Sequence, residues 1–163
     1  MNIEKALEFL KQHQPMPDDS ELEKAIIDEY DEVRKFFLEH LDKRCIPLFL
    51  NSFGKGDGFG VYQLIEDVIS KYTSEDVVPH IAKALENPHT SIRYWNAQID
   101  ASFPSVALIN ALFNNIREGD FDMRYACISA LEQIEDNQIK VFLKEWLKKE
   151  KEEEIRELIL KIL

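Results

Sequence analysis

The feature that most constrains this chain is a phrase that returns. The stretch NPHTSIRYWNAQ carries Ile92-Arg93-Tyr94, and 31 residues later GDFDMRYACISA carries Met123-Arg124-Tyr125 at the same point. The same register extends both ways, from Val61-Tyr62 through Ile92-Arg93 and Met123-Arg124 to Ile155-Arg156, with steps of 31, 31 and 32. A second register runs through the segments between. Ile46–Phe49–Phe53, Val78–Ile81–Leu85, Val106–Ile109–Phe113 and Ile139–Phe142–Trp146 repeat a three-then-four spacing, with steps of 32, 28 and 33. Three-then-four is the spacing of one helix face. Two helical registers sharing one period describe a helical hairpin that repeats, and periods of 20–50 residues belong to solenoids.

These residues resemble the HEAT repeat family. The pattern is a short apolar helix, a turn ending in Asn-Pro or Gly-Asp, and an apolar-Arg-aromatic opening of the next helix, over residues 43–163. The resemblance implies an all-α, right-handed α-solenoid of about four HEAT-like hairpins in a single domain, with residues 1–42 as an N-terminal cap. A terminal repeat must present a polar outer face. Tyr62 stands where the family places arginine, so that hairpin is atypical. Arg93, Arg124 and Arg156 occupy equivalent turns, and in HEAT-like stacks such an arginine bonds an acid or a carbonyl of a neighbouring repeat.

The segments outside the registers are also helical. Ile3, Leu7 and Leu10 share a face of a first helix that stops before QPMPDDS, where Pro15 and Pro17 exclude helix interior. Asp19 or Ser20 is then a candidate cap for a helix bearing Leu22, Ile26, Ile27, Tyr30, Val33, Phe37 and Leu41. Ser74 is a candidate cap for the helix that follows it.

Charge narrows the choice of partner. The net charge is −11, from 31 acids and 20 Lys and Arg, and it is shared along the chain. Residues 1–44 hold 12 acids and 7 bases, 45–100 hold 7 and 4, and 101–163 hold 12 and 9. Nucleic-acid affinity rests on neutralising phosphates with Lys and Arg, so no segment here reads as a DNA or RNA surface. An acidic surface instead speeds encounter with basic proteins. Cys45 and Cys127 form no CxxC pair, which fits a reducing compartment. MNIEKALEFLKQHQ lacks the apolar core of a signal peptide, and no apolar run reaches membrane-span length, so the expected location is cytoplasmic.

Catalytic and metal-binding patterns are missing. His13, His40, His80 and His89 are scattered, with no HExxH and no two within a helical turn. No GxSxG elbow occurs. GKGDGFG, Gly54 to Gly60, fails Walker A because Gly56 follows Lys55, and it fails GxGxxG because Phe59 and Val61 stand where glycine is required. It reads as a turn between helices, or as a partner-contacting loop anchored by Phe59. Adjacent acids on amphipathic helices read as solvated faces. Trp146 falls in an apolar row and reads as core. Trp95 reads as core or as an interface anchor.

No cofactor and no enzymatic activity are expected. The expected function is protein binding through an acidic curved surface, to a basic protein partner. A small acidic chain of this kind is similar to bacterial immunity proteins, which neutralise a nuclease toxin by masking its basic active site. A regulatory or assembly subunit of a larger complex is the alternative, and the HEAT-like DNA glycosylases and phycobilin lyases share the fold alone. Binding positions are sought on the second helices, at His80, Lys83, Asn87, Asn110 and Asn114, at the irregular turn, at Asp57, Phe59 and Tyr62, and at Tyr94. The terminal stripe Leu158, Ile159, Ile162 and Leu163 offers weak self-association.

Overall fold

The computed structural model describes residues 1–163 and contains ten α-helices and no strand. They are α1 (Ile3–Gln12), α2 (Lys24–Glu39), α3 (Cys45–Leu50), α4 (Ile65–Ile69), α5 (Ser74–Ala84), α6 (Thr90–Asp100), α7 (Ile109–Glu118), α8 (Phe121–Glu132), α9 (Asn137–Leu147) and α10 (Glu153–Ile162). Single 3-10 turns, Tyr62–Leu64 and Val106–Leu108, lead into α4 and α7. No helix is long and apolar enough to cross a membrane.

The most extensive packing is of α8 against α7 and α6, and alternate helices also meet in two rows. In one row α1 packs on α3, α3 on α5, and α5 on the 3-10 turn that opens α7. In the other α6 packs on α8 and α8 on α10. One continuous apolar core runs through both, from Leu7 and Leu10 to Ile155 and Ile159. Its aromatic centre is Tyr30, which meets Phe49 and Tyr62 edge-on with ring centroids 6.0 and 5.9 Å away. The Tyr30 hydroxyl shares a 2.6 Å hydrogen bond with that of Ser52.

The caps explain where several helices start. Thr73, Asp120 and Asp136 each accept a hydrogen bond from a first-turn amide of the helix that follows. Thr73 caps α5 in place of Ser74, which is already helical. Neither Asp19 nor Ser20 caps α2. That helix starts at Lys24 behind Glu23, which makes no side-chain cap, because the Asp19 carboxylate is engaged elsewhere. Leu41 is 58% exposed, since α2 has ended at Glu39 and the face it would have joined has turned away.

The second-helix register departs from the core in α9, where Phe142 and Trp146 are half-buried while Leu143 is buried, and it slips at Val106. Val106 is 62% exposed while Leu108 is buried. After Pro104 the chain makes a 3-10 turn, and three residues per turn move the inward position. The arginine register holds in two of three places. Arg124 donates from Nε and Nη2 to the two carboxylate oxygens of Glu150, at 2.9 and 3.0 Å. Arg156 donates to the carbonyls of Leu147 and Glu150 at 2.7 and 3.0 Å. Arg93 reaches only Thr90 on its own helix, at 3.3 Å, and its buried Nε has no partner.

Candidate functional site

An open cleft of about 1030 Å³ lies beside the glycine-rich loop. Five segments wall it: residues 18–19, the glycine-rich loop at 55–57, Gln63 in the 3-10 turn before α4, the first half of α6 with His89 before it, and the start of α8. Its position follows from how the glycine-rich loop is tied down. The Asp19 carboxylate accepts from the amides of Asp57 and Gly58 at 3.0 and 3.1 Å, and Asp18 accepts from that of Lys55 at 3.2 Å. From the other side the Trp95 indole donates to the Gly56 carbonyl at 3.1 Å. Ser91 donates to the Phe53 carbonyl at 2.9 Å. The loop is thus a tethered rim, and its glycines are needed for it. Gly56 and Gly58 have φ of +116° and +59°, and a Cβ on either would run into the Asp19 carboxylate or the Tyr62 ring.

Five carboxylates line this cleft: Asp18, Asp19, Asp57, Asp120 and Asp122. None of them forms a salt bridge, although carboxylates elsewhere pair with Lys or Arg, as at Asp28, Asp31, Asp42, Asp76 and Glu150. Lys55 is the one Lys or Arg in the lining, and it too is unpaired. Two rings complete the wall. Tyr94 and Trp95 are both half-buried and meet edge-on, with centroids 5.3 Å apart. Trp95 is backed by Phe53, stacked at 5.8 Å, and by Tyr62, edge-on at 5.9 Å.

The positions expected from sequence divide accordingly. Asp57 and Tyr94 lie in the cleft. Phe59 stands at the tip of the same loop, 55% exposed and at φ +52°. Tyr62 is a correction: it is 1% exposed, because its ring fills the core beneath the loop and its hydroxyl accepts from the Gly54 amide at 3.1 Å. Burial pushes that hydroxyl up to about 12. Asn87 is half-buried and committed, donating to Asn51 at 3.1 Å and accepting from the His89 amide at 2.9 Å. Lys83, Asn110 and Asn114 are exposed and His80 is half-buried on α5 and α7, outside the cleft. Burial, with Lys83 adding to it, lowers the His80 imidazole. Trp95, weighed between core and anchor, is both: one side is packed and the other borders the cleft.

Asp18, Asp19, Asp120, Asp122 and His89 were not expected at a site. Asp120 and Asp122 sit inside the recurring phrase itself, and Asp18-Asp19 follows Pro17 in a loop. Only folding brings residues a hundred positions apart to one rim. No three His, Cys, Asp or Glu side chains come together in a metal-holding arrangement. The two thiols are buried, and burial pushes Cys45 up to about 11 and Cys127 higher still, so neither is a ready nucleophile. No protein-family model matches the chain, and no curated protein matches it.

Phe59 offers a direct check on the loop. A non-glycine residue in the left-handed region is strained by about 1–2 kcal/mol, and Phe59 buries little in return. Phe59→Gly is expected to leave unfolding stability unchanged or raise it by up to about 1 kcal/mol, read by urea denaturation. A loss above that size would show that the ring packs.

Proposed function

We propose that this chain is a non-catalytic binding protein whose acidic cleft docks a basic segment of another protein. The observation that carries the reading is the concentration of five unpaired carboxylates around one cleft beside two accessible aromatic rings. Unpaired charge of one sign in a concave site raises the local potential and steers an opposite partner. Tyr and Trp are favoured anchors because they bring large contact area with few rotors, and their faces attract ammonium and guanidinium groups. The two-row order of packed neighbours supports the finer reading of a HEAT-like hairpin stack, a fold that offers extended surfaces to partners.

A nuclease fits such a partner, since its nucleic-acid surface must be basic. A chain that covers that surface would act as an immunity protein.

An oligoarginine peptide is the probe. It should bind at low ionic strength and weaken steeply as salt rises toward the physiological range, where the screening length falls to about 8 Å. Asp57→Asn with Asp122→Asn keeps size and local hydrogen bonding and removes two charges. The pair should weaken the peptide about tenfold by fluorescence anisotropy. Affinity that ignores both salt and these substitutions would reject the cleft as the docking site.

A further inference from the structure

Across the α7–α8 turn from the acidic cleft lies a second, smaller concavity of about 300 Å³ with the opposite charge. Arg117, Lys149 and Lys151 line it, and none of the three forms a salt bridge, although the chain holds 31 acids and 20 Lys and Arg. Its inner wall is the Arg124–Glu150 pair, where Glu150 is buried and already satisfied by Arg124, the Trp146 indole at 2.8 Å and two backbone amides. Glu152 also borders it, exposed and unpaired.

Aromatic rings hold two of these cations. The Arg117 guanidinium lies 5.2 Å from the centroid of Phe142, and the Lys149 ammonium lies 4.6 Å from that of Trp146. Phe142 is itself stacked on Phe113 at 3.9 Å. Arg117 also donates from Nη1 to Asn114 Oδ1 at 2.9 Å, but a cation resting on a ring keeps its charge, and the remaining N–H groups can meet an anion. Gly119 lines this pocket and Asp120, the next residue, lines the acidic cleft. The two sites therefore share one wall, with charges of opposite sign on its two sides.

We infer that the pocket formed by Arg117, Lys149 and Lys151 receives a carboxylate side chain of the same partner whose basic segment enters the cleft. This rests on the docking reading above for the partner, but not for the pocket. Opposite charges on either side of one turn make the interface bipolar. A partner with a basic stretch followed by an acid is accepted in one orientation, and a uniformly basic chain gains nothing from the pocket. Complementary patterns of this kind fix register more than they add affinity.

The test uses the whole chain and the variant Arg117→Gln/Lys149→Gln/Lys151→Gln, which removes three positive charges at three exposed positions. Two labelled peptides are compared by anisotropy: oligoarginine, and oligoarginine joined by a flexible linker to a short glutamate block. The variant should bind oligoarginine as well as the parent does, or better, and bind the block peptide about tenfold more weakly. An equal effect on both peptides, or none on the block peptide, overturns the inference while leaving the cleft intact. Failure of oligoarginine to bind the parent chain strikes the docking reading instead. The pocket is then decided by inorganic sulfate titrated into Trp95→Phe, where Trp146 is the remaining indole. A saturable emission change lost in the triple variant supports an oxyanion site, and no change overturns it. Sulfate binding without a block-peptide difference reassigns the pocket to a free anion and overturns the shared-partner claim.

Discussion

Asp100→Asn raises the stability of this protein at neutral pH by on the order of 4 kcal/mol. Asp100 is the last residue of α6, fully buried, and both its oxygens lack a hydrogen-bond partner. Burial pushes its carboxyl up from 3.8 to about 8. The folded chain therefore holds a proton that the unfolded chain has released by pH 7. A group with a raised folded value opposes folding from the unfolded value upward. Its penalty is absent below about pH 3.8, grows as pH rises, and levels off above about pH 8. Asparagine keeps the shape and cannot ionise. Its advantage over the parent should widen across that window, with an unfolding midpoint roughly 10 °C higher at neutral pH. Calorimetry at several pH values decides it. A difference that does not change with pH, or a variant less stable than the parent, would mean that the Asp100 carboxylate has a partner in the folded state.

Arg124→Ala acts in the opposite direction and destabilises by about 3–5 kcal/mol. The side chain of Glu150 is only 2% exposed and that of Arg124 17% exposed. Removing the arginine leaves a buried carboxylate without its cation, and that is the severe case for a buried pair. Glu150→Gln should cost less, because the amide keeps part of the hydrogen bonding and leaves a cation that reaches solvent. Burial alone would raise the Glu150 carboxyl, but the bonds from Arg124 and Trp146 together hold it below the usual range. Its contribution is then complete above the unfolded value of about 4.5 and is lost as pH falls through the lower folded value. The gap between parent and Arg124→Ala should shrink in acid. A loss under about 1 kcal/mol, typical of a surface pair, would contradict this burial.

The helices were legible because their causes are local. Apolar spacing marked α5, α6, α8, α9 and α10 closely, whereas the bonds of Arg124 and Arg156 were implied only by the resemblance to HEAT repeats. What failed was short-range geometry that spacing does not encode. A 3-10 turn after Pro104 displaced Val106, and Asp19 left its place before α2 for amides 38 and 39 residues away. The cleft was half legible. Asp57 and Tyr62 were chosen because they sit at an irregular turn, with Tyr94 added beside them, and Tyr62 proved to be core. An aromatic residue beside glycines looks the same in sequence whether its ring points out or in. Residues 94–95 and 120–122 lie in two copies of the recurring phrase, but residues 18–19 and 57 belong to neither, so their meeting with that pair is a product of packing. The unpaired buried Asp100 carried no sequence signal either, because an acid at the end of an amphipathic helix is ordinarily wet.

Asp19 couples parts of the molecule that would otherwise change independently. It belongs to the segment before α2, yet it grips the loop that borders the acidic cleft, so the leading helices serve as scaffold for the proposed docking surface. A lesion that loosens α1 or α2 would also disturb that rim. Substitutions selected for a new partner on that rim would, in turn, be filtered by their effect on the amino-terminal end.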